Sequence, residues 1–296
     1  APSRRYPPCG RGAEYTANCY SPNSLLRLSH PILQRSPITK PTFLWTVIGL
    51  FAALYDLGRI CPDHQQGTAD RPMGRLSIPE LIQRPHPGIC RWILKRLQTD
   101  YLDLLLLHRP DALVEPEDVA AAFDVLFESG KVRHFGVSNH KPMQIALLQK
   151  YVRQPLVANQ VQFSIPVSNL VANGMEVNME TPGSVDHDGS LLDYCRLHDI
   201  TLQAWSPFQM PSWKGCFLGS DEYPELNRKI CALAEKYSVS DTTIAAAWIL
   251  RHPANMQLVT GTASENRLKE IIAACAITLT REEWYELYLA AGHPLP

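Results

Sequence analysis

His108 closes a run of leucines, Leu102-Asp103-Leu104-Leu105-Leu106-Leu107-His108-Arg109-Pro110. An imidazole changes charge near neutral pH, so a histidine delivered by a rigid element is a candidate for proton chemistry. Further along the chain lie Gly136-Val137-Ser138-Asn139-His140, Asn159-Gln160, Trp205-Ser206-Pro207-Phe208 and Thr260-Gly261-Thr262-Ala263-Ser264, the last followed by Arg267. Side-chain amides and a hydroxyl beside a flat aromatic suit a planar ring that carries a carboxamide. A Gly/Thr/Ser turn leading into a helix suits phosphate, because backbone N–H groups and the helix dipole converge there. Arg267, one turn into that helix, can pair with a further phosphate. Taken singly, each has a plain structural role: Ser138 and Asn139 as turn residues, Trp205 as a core aromatic, Ser264 as an N-cap. Together they describe a nucleotide site.

These residues need elements to hold them. The leucine run is apolar on both faces and is stopped by Pro110, the pattern of a strand covered on both sides in a parallel sheet. His108 then sits at the strand's carboxyl end, the edge where barrels and open α/β sheets carry their sites. Residues 116–128 have helical spacing with acids in the first turn, and Gly130 ends the segment. Strand patterns recur at 132–137, 156–161, 200–204 and 256–260. Helical patterns recur at 141–151, 190–198, 223–237, 241–251, 264–276 and 281–291. Ser190 with Asp193, and Thr280 with Glu283, are spaced as capping pairs. Asp186-His187-Asp188-Gly189 has part of a calcium-loop pattern but lacks the rest, which favours a helix-entry turn. Five strand–helix units read as a parallel βα repeat, three units short of a closed eight-stranded barrel.

The front of the chain is different. Of the 296 residues, the first 90 carry ten Lys+Arg against five Asp+Glu, and nine of those ten are Arg. The remainder carries 18 against 24, and half of the 24 prolines fall in the first 90 positions. No strand–helix period appears there, so residues 1–92 are set apart as an atypical segment, foreign to or out of frame with 93–296; a divergent domain is the alternative. The apolar stretch 43–55 is too short for a membrane span of about 20 residues, so no membrane partner is expected. A net charge of -1 argues against nucleic acid, whose phosphates call for a basic surface. Eight cysteines show no C-x-x-C pair or zinc spacing, the pattern of reduced thiols in a cytoplasmic protein without a metal site.

In their order and spacing, the 102–110 run, Gly130-Lys-Val-Arg-His-Phe-Gly-Val-Ser-Asn139, Ala158-Asn-Gln160, Ala204-Trp-Ser-Pro-Phe208 and Gly261 to Glu270 make residues 93–296 resemble the aldo-keto reductases, and among them a bacterial oxidoreductase branch. The resemblance implies a (β/α)8 TIM-type barrel, incomplete or irregular over its first three βα units. It also implies NADP(H) as cofactor and a small-molecule aldehyde or ketone as substrate. On this resemblance His108 is the histidine that orients the substrate carbonyl. Ser138, Asn139 and Gln160 contact the nicotinamide carboxamide, and Trp205 stacks on the nicotinamide ring. Ser206 and Phe208 begin the pyrophosphate loop. Gly261, Thr262 and Arg267 form the adenosine 2′-phosphate site, and Glu270 contacts the adenine. Ile271 stands where Asn is usual in the family.

The family also carries a catalytic Asp and Tyr in a D-x-x-x-Y-G context and a strand-end Lys. None of these is found in residues 1–92. Tyr55-Asp56 has the wrong order, and Lys40 precedes Pro41. Two functions follow: a carbonyl reductase, or a non-catalytic barrel fragment that binds a nucleotide or serves an interaction. Oligomeric state is left open.

Overall fold

A computed structural model describes residues 90, 93–95 and 97–295. The readings that fall on residues 1–89 lie outside these. The described elements are β1 (Leu102–Leu107), α1 (Pro116–Glu128), β2 (Val132–Ser138), α2 (Pro142–Tyr151), β3 (Leu156–Gln162), α3 (Asn169–Met175), α4 (Leu191–Leu197), β4 (Thr201–Trp205), α5 (Pro224–Tyr237), α6 (Asp241–Leu250), β5 (Gln257–Val259), α7 (Glu265–Ala273) and α8 (Arg281–Ala290). The strands form one sheet in sequential order, β1-β2-β3-β4-β5. β1 runs parallel to β2 and β2 parallel to β3. Parallel neighbours need a crossover, which α1 and α2 supply. Five βα strands are thus present among the described residues, and the eight-stranded closure implied by resemblance goes beyond them.

Sequence patterns account for most boundaries. α1 opens with Pro116 and the acids Glu117 and Asp118, and buries Val119, Phe123 and Leu126 on one stripe. α6 is buried on all sides from Thr242 to Ile249, as expected of a helix in the middle of a core. The Thr280/Glu283 pair forms a reciprocal capping box on α8. β1 buries Leu102 and Leu106 and holds Leu104, Leu105 and Leu107 half-buried, with no residue of the strand exposed. Ser190 does not cap α4: its backbone is left-handed (φ 57°), and its hydroxyl meets Asp186 Oδ2 at 3.4 Å. Among the described residues Cys90, Cys195, Cys216 and Cys275 are free thiols. Helix α3 carried no clear periodic signal and is a finding of the structure.

The chain divides into two compact units. Among the described residues the first comprises 90–161 and 191–203, and the second 162–190 and 204–295. In the first, Phe123 of α1 stacks on Phe135 of β2 with ring centroids 4.0 Å apart, over a core that includes Leu102, Ile145 and Leu202. In the second, rings stack in series: Phe163 on Trp248 at 5.6 Å, Trp248 on Trp284 at 4.6 Å, Trp284 on Tyr288 at 5.7 Å and Tyr288 on His293 at 4.6 Å. Trp248 and Trp284 each donate their indole N–H to the other's backbone carbonyl, at 2.9 and 3.0 Å. That exchange satisfies both buried N–H groups while keeping the rings in contact.

Candidate functional site

In the first unit, strand register collects the polar groups at the carboxyl edge. Leu107 pairs with Val137, so His108 leaves β1 level with Ser138 at the end of β2. An irregularity between Phe135 and Val137 shifts the β2–β3 pairing and sets Ser138 opposite Gln160. The shift sits at Gly136, where an added Cβ would lie 2.6 Å from the Ala158 carbonyl oxygen. Glycine is therefore required there by the closeness of the β3 backbone.

Ser138 Oγ donates to the Gln160 carbonyl at 3.0 Å, and Asn139 Nδ2 donates to Ser138 Oγ at 2.7 Å. Asn139 N–H also donates to the Gln160 carbonyl, at 2.9 Å. Its backbone is left-handed (φ 58°), a conformation that Asn tolerates better than most residues. Gln160 Nε2 reaches Gln203 Oε1 at 3.3 Å, and Asn159 Nδ2 donates to the His140 carbonyl at 2.9 Å. Ser138 is 1% exposed, and Asn159 and Gln160 are fully buried. Yet Gln160 Oε1 and Asn159 Oδ1 are buried without a hydrogen-bond partner. Each orphaned acceptor is costly, at roughly 1–3 kcal/mol; neighbouring strand residues face opposite sides of the sheet, so the two mark separate places for a donor. His108 is half-buried, and burial, then the neighbouring Arg109 charge, pushes it below the ordinary imidazole value.

The second unit holds the other predicted residues. Trp205 is buried and stacks on Trp213, with ring centroids 5.4 Å apart and planes 20° from parallel. Trp213 itself is 62% exposed and left-handed (φ 61°), as is Ser212 beside it (φ 57°). Ser206, also left-handed (φ 51°), starts a loop that folds back on itself: Phe208 carbonyl accepts from Phe217 N–H at 3.0 Å, and Gln209 bridges Cys216. Burial raises the Cys216 thiol to about 11, against a smaller lowering from the Arg267 charge. Ser264 caps α7 by accepting from Arg267 N–H at 3.5 Å, and Thr262 Oγ1 accepts from Ser264 N–H at 3.2 Å. Gly261 is exposed, and Thr262, Arg267 and Glu270 are half-buried. Glu270 is tied through its backbone, which accepts from Thr243 Oγ1 at 2.8 Å.

The aldo/keto reductase family model matches residues 89–288. The chain belongs to that family. It is 34% identical over 198 residues to the 6-dehydroglucose reductase of Agrobacterium fabrum, covering 67% of this chain and 60% of that protein. It is 34% identical over 205 residues to Oxidoreductase YdhF of Escherichia coli, covering 69% and 62%. An NADPH-dependent alpha-keto amide reductase of Saccharomyces cerevisiae is 27% identical over 195 residues, covering 64% and 55%. Among solved structures, the thermostable aldo-keto reductase Tm1743, in complex with the inhibitor epalrestat, superposes with a TM-score of 0.53 at 27% identity, covering 69% of this chain and 65% of that one. The chain thus spans about three-fifths of the length of these curated relatives.

Family membership sets the strand-end residues in context, but two participants in the buried network were not assigned by sequence. Asn159 was visible as an amide beside Gln160, and its Nδ2 donates to the His140 carbonyl while its Oδ1 is left without a partner. Gln203 lies within β4, 43 residues from Gln160, and no local pattern connects the two.

Proposed function

We propose that this chain is an NADP(H)-binding reductase that converts the carbonyl of a small aldehyde or ketone to an alcohol beside His108. The observation that carries the reading is Gln160 Oε1, a buried acceptor without a hydrogen-bond partner, on the residue whose backbone carbonyl accepts from the Ser138 hydroxyl. An amide N–H₂ is the donor such an acceptor wants, so the residues present fit a nicotinamide carboxamide. When bound, NADPH supplies the hydride. On this reading Ser138, Asn139 and Gln160 hold the carboxamide and Trp205 supports the ring. Ser206 and Phe208 meet the pyrophosphate, Gly261, Thr262 and Arg267 the 2′-phosphate, and Glu270 the adenine. His108, kept neutral by burial, can donate an N–H to the substrate oxygen. The A. fabrum and S. cerevisiae relatives, a reductase and an NADPH-dependent reductase, support the choice of chemistry and cofactor.

A second reading is favoured by one sequence fact: residues 1–92 contain neither D-x-x-x-Y-G nor a matching strand-end Lys. On this reading His108 alone, without the family's tyrosine, would have to serve as proton donor, and general acid catalysis is worth roughly 10²–10⁴-fold. The chain would then bind nucleotide with little or no turnover. Titrating NADPH by fluorescence and following carbonyl-dependent NADPH oxidation separates the two: binding with turnover supports the first, binding alone the second, and no binding overturns both. Arg267→Ala should remove roughly 1–3 kcal/mol of preference for NADPH over NADH. Equal affinity of the unaltered protein for both cofactors would sink the 2′-phosphate assignment.

A further inference from the structure

Gln203 stands between the buried residues Leu202 and Ala204 of β4 and is itself 2% exposed. A side chain of the same length without polar atoms would fill that place with nothing to desolvate. An amide kept there needs partners, and one of them is Gln160 of β3, whose Nε2 donates to Gln203 Oε1 at 3.3 Å. Gln160 is fully buried as well. Its backbone is pinned, because the carbonyl accepts from the Ser138 hydroxyl at 3.0 Å and from the Asn139 N–H at 2.9 Å. Its Oε1 is left without a hydrogen-bond partner.

The contact with Gln203 decides which end of the Gln160 amide is committed and which is open. A side-chain amide carries an acceptor at one end and donors at the other, and the two ends have nearly the same shape. Packing cannot choose between them, whereas a hydrogen bond can. With Gln203 Oε1 facing it, Gln160 commits Nε2 to the β4 side. Turning the amide over would set two carbonyl oxygens against each other and take from Gln203 its donor, which is costly in a buried place. Gln160 Oε1 is thereby held as a fixed acceptor. It complements an N–H₂ group and opposes a ligand atom that can only accept. A site with a buried acceptor rejects analogues that lack the matching donor, because the acceptor then stays unpaired.

We propose that Gln203 is a positioning residue: it fixes the Gln160 amide with Oε1 as the open acceptor, and so makes the site selective for a carboxamide over cofactor analogues without an N–H₂ group. The proposal rests on the cofactor-binding reading of Gln160, and its test separates the two. The full chain is titrated by calorimetry with NADP⁺ and with its acetylpyridine analogue, in which a methyl ketone replaces the carboxamide and only the donor is lost. The unaltered chain should bind NADP⁺ roughly tenfold more tightly, as expected when a buried acceptor loses its donor. Gln203→Met keeps the length of the side chain without the acceptor and should remove most of that preference. Gln203→Glu still offers an oxygen to Gln160 Nε2 and should retain it. The preference is a ratio taken within each variant, so a general loss of stability does not move it. A preference unchanged in Gln203→Met, or lost in Gln203→Glu, overturns the proposal and leaves the cofactor reading standing; the second result reads even where the Met variant fails to fold. Equal binding of the two dinucleotides by the unaltered chain overturns the proposal alone. Binding of neither overturns the cofactor reading and the proposal with it.

Discussion

In the first unit, order at the strand ends comes from backbones brought unusually close. Gly136 lets β2 lie against the β3 carbonyl of Ala158, and the register this permits aligns Ser138 with Gln160. In the second unit, order comes from rings. Phe163, Trp248, Trp284, Tyr288 and His293 stack in series, and the last of them ties the C-terminal segment to the Ile165 carbonyl. The first arrangement leaves the acceptors Asn159 Oδ1 and Gln160 Oε1 buried without partners; in the second, the stacked indoles satisfy each other's N–H groups. A network built on backbone proximity suits recognition of a small planar amide, whereas stacked aromatics suit a scaffold.

The strongest way to break this contrast is Gly136→Ala. The new methyl would also lie 2.7 Å from Leu106 Cδ2, and overpacking of this kind costs roughly 1–3 kcal/mol, or more against a backbone. A urea unfolding midpoint that drops sharply, with NADPH affinity lost as well, is the expected result; an unchanged midpoint would mean the strands have slack. Trp248→Phe keeps the stack but leaves the Trp284 carbonyl without its indole donor. It should cost roughly 1–3 kcal/mol while sparing the Ser138–Gln160 edge, so stability falls and NADPH affinity in folded protein holds.

A pH series sharpens the comparison next. Burial lowers His108 and, against its bond to the Ser138 carbonyl, His140; burial also lowers His293 in the second unit. A histidine depressed in the folded state binds its proton more readily when unfolded. Stability from all three is therefore complete above the ordinary imidazole value of about 6.5 and is lost as pH falls toward the folded values. His140→Gln should flatten this decline in urea titrations between pH 7 and 5; a slope unchanged by the substitution would exonerate His140. Smallest is Tyr288→Phe. The Tyr288 hydroxyl is buried without a partner, and burial followed by the Glu176 charge raises it to about 12. Removing it should leave stability the same or raise it by up to about 1 kcal/mol; a loss would reveal a partner that the ring stack conceals.

Much of this was legible in the sequence, for local reasons. The leucine run ending at His108, the acid-rich start of α1 and the Thr280/Glu283 capping box depend on neighbours within a few residues, and each lies where its pattern points. Ser190 misled because its hydroxyl had a competing partner in Asp186, which capping spacing does not weigh. α3 stayed hidden because Asn169–Met175 is short, polar at several positions and contains Gly174.

By itself, the sequence determined the strand–helix alternation from 102 onward, the residues delivered to the strand ends and the family, because periodicity and motif spacing are properties of the chain. Tertiary structure alone decided that Gln160 meets Gln203 and that Trp205 meets Trp213. Those outcomes depend on register and on the approach of distant segments, where a shift of one residue turns a side chain to the other face.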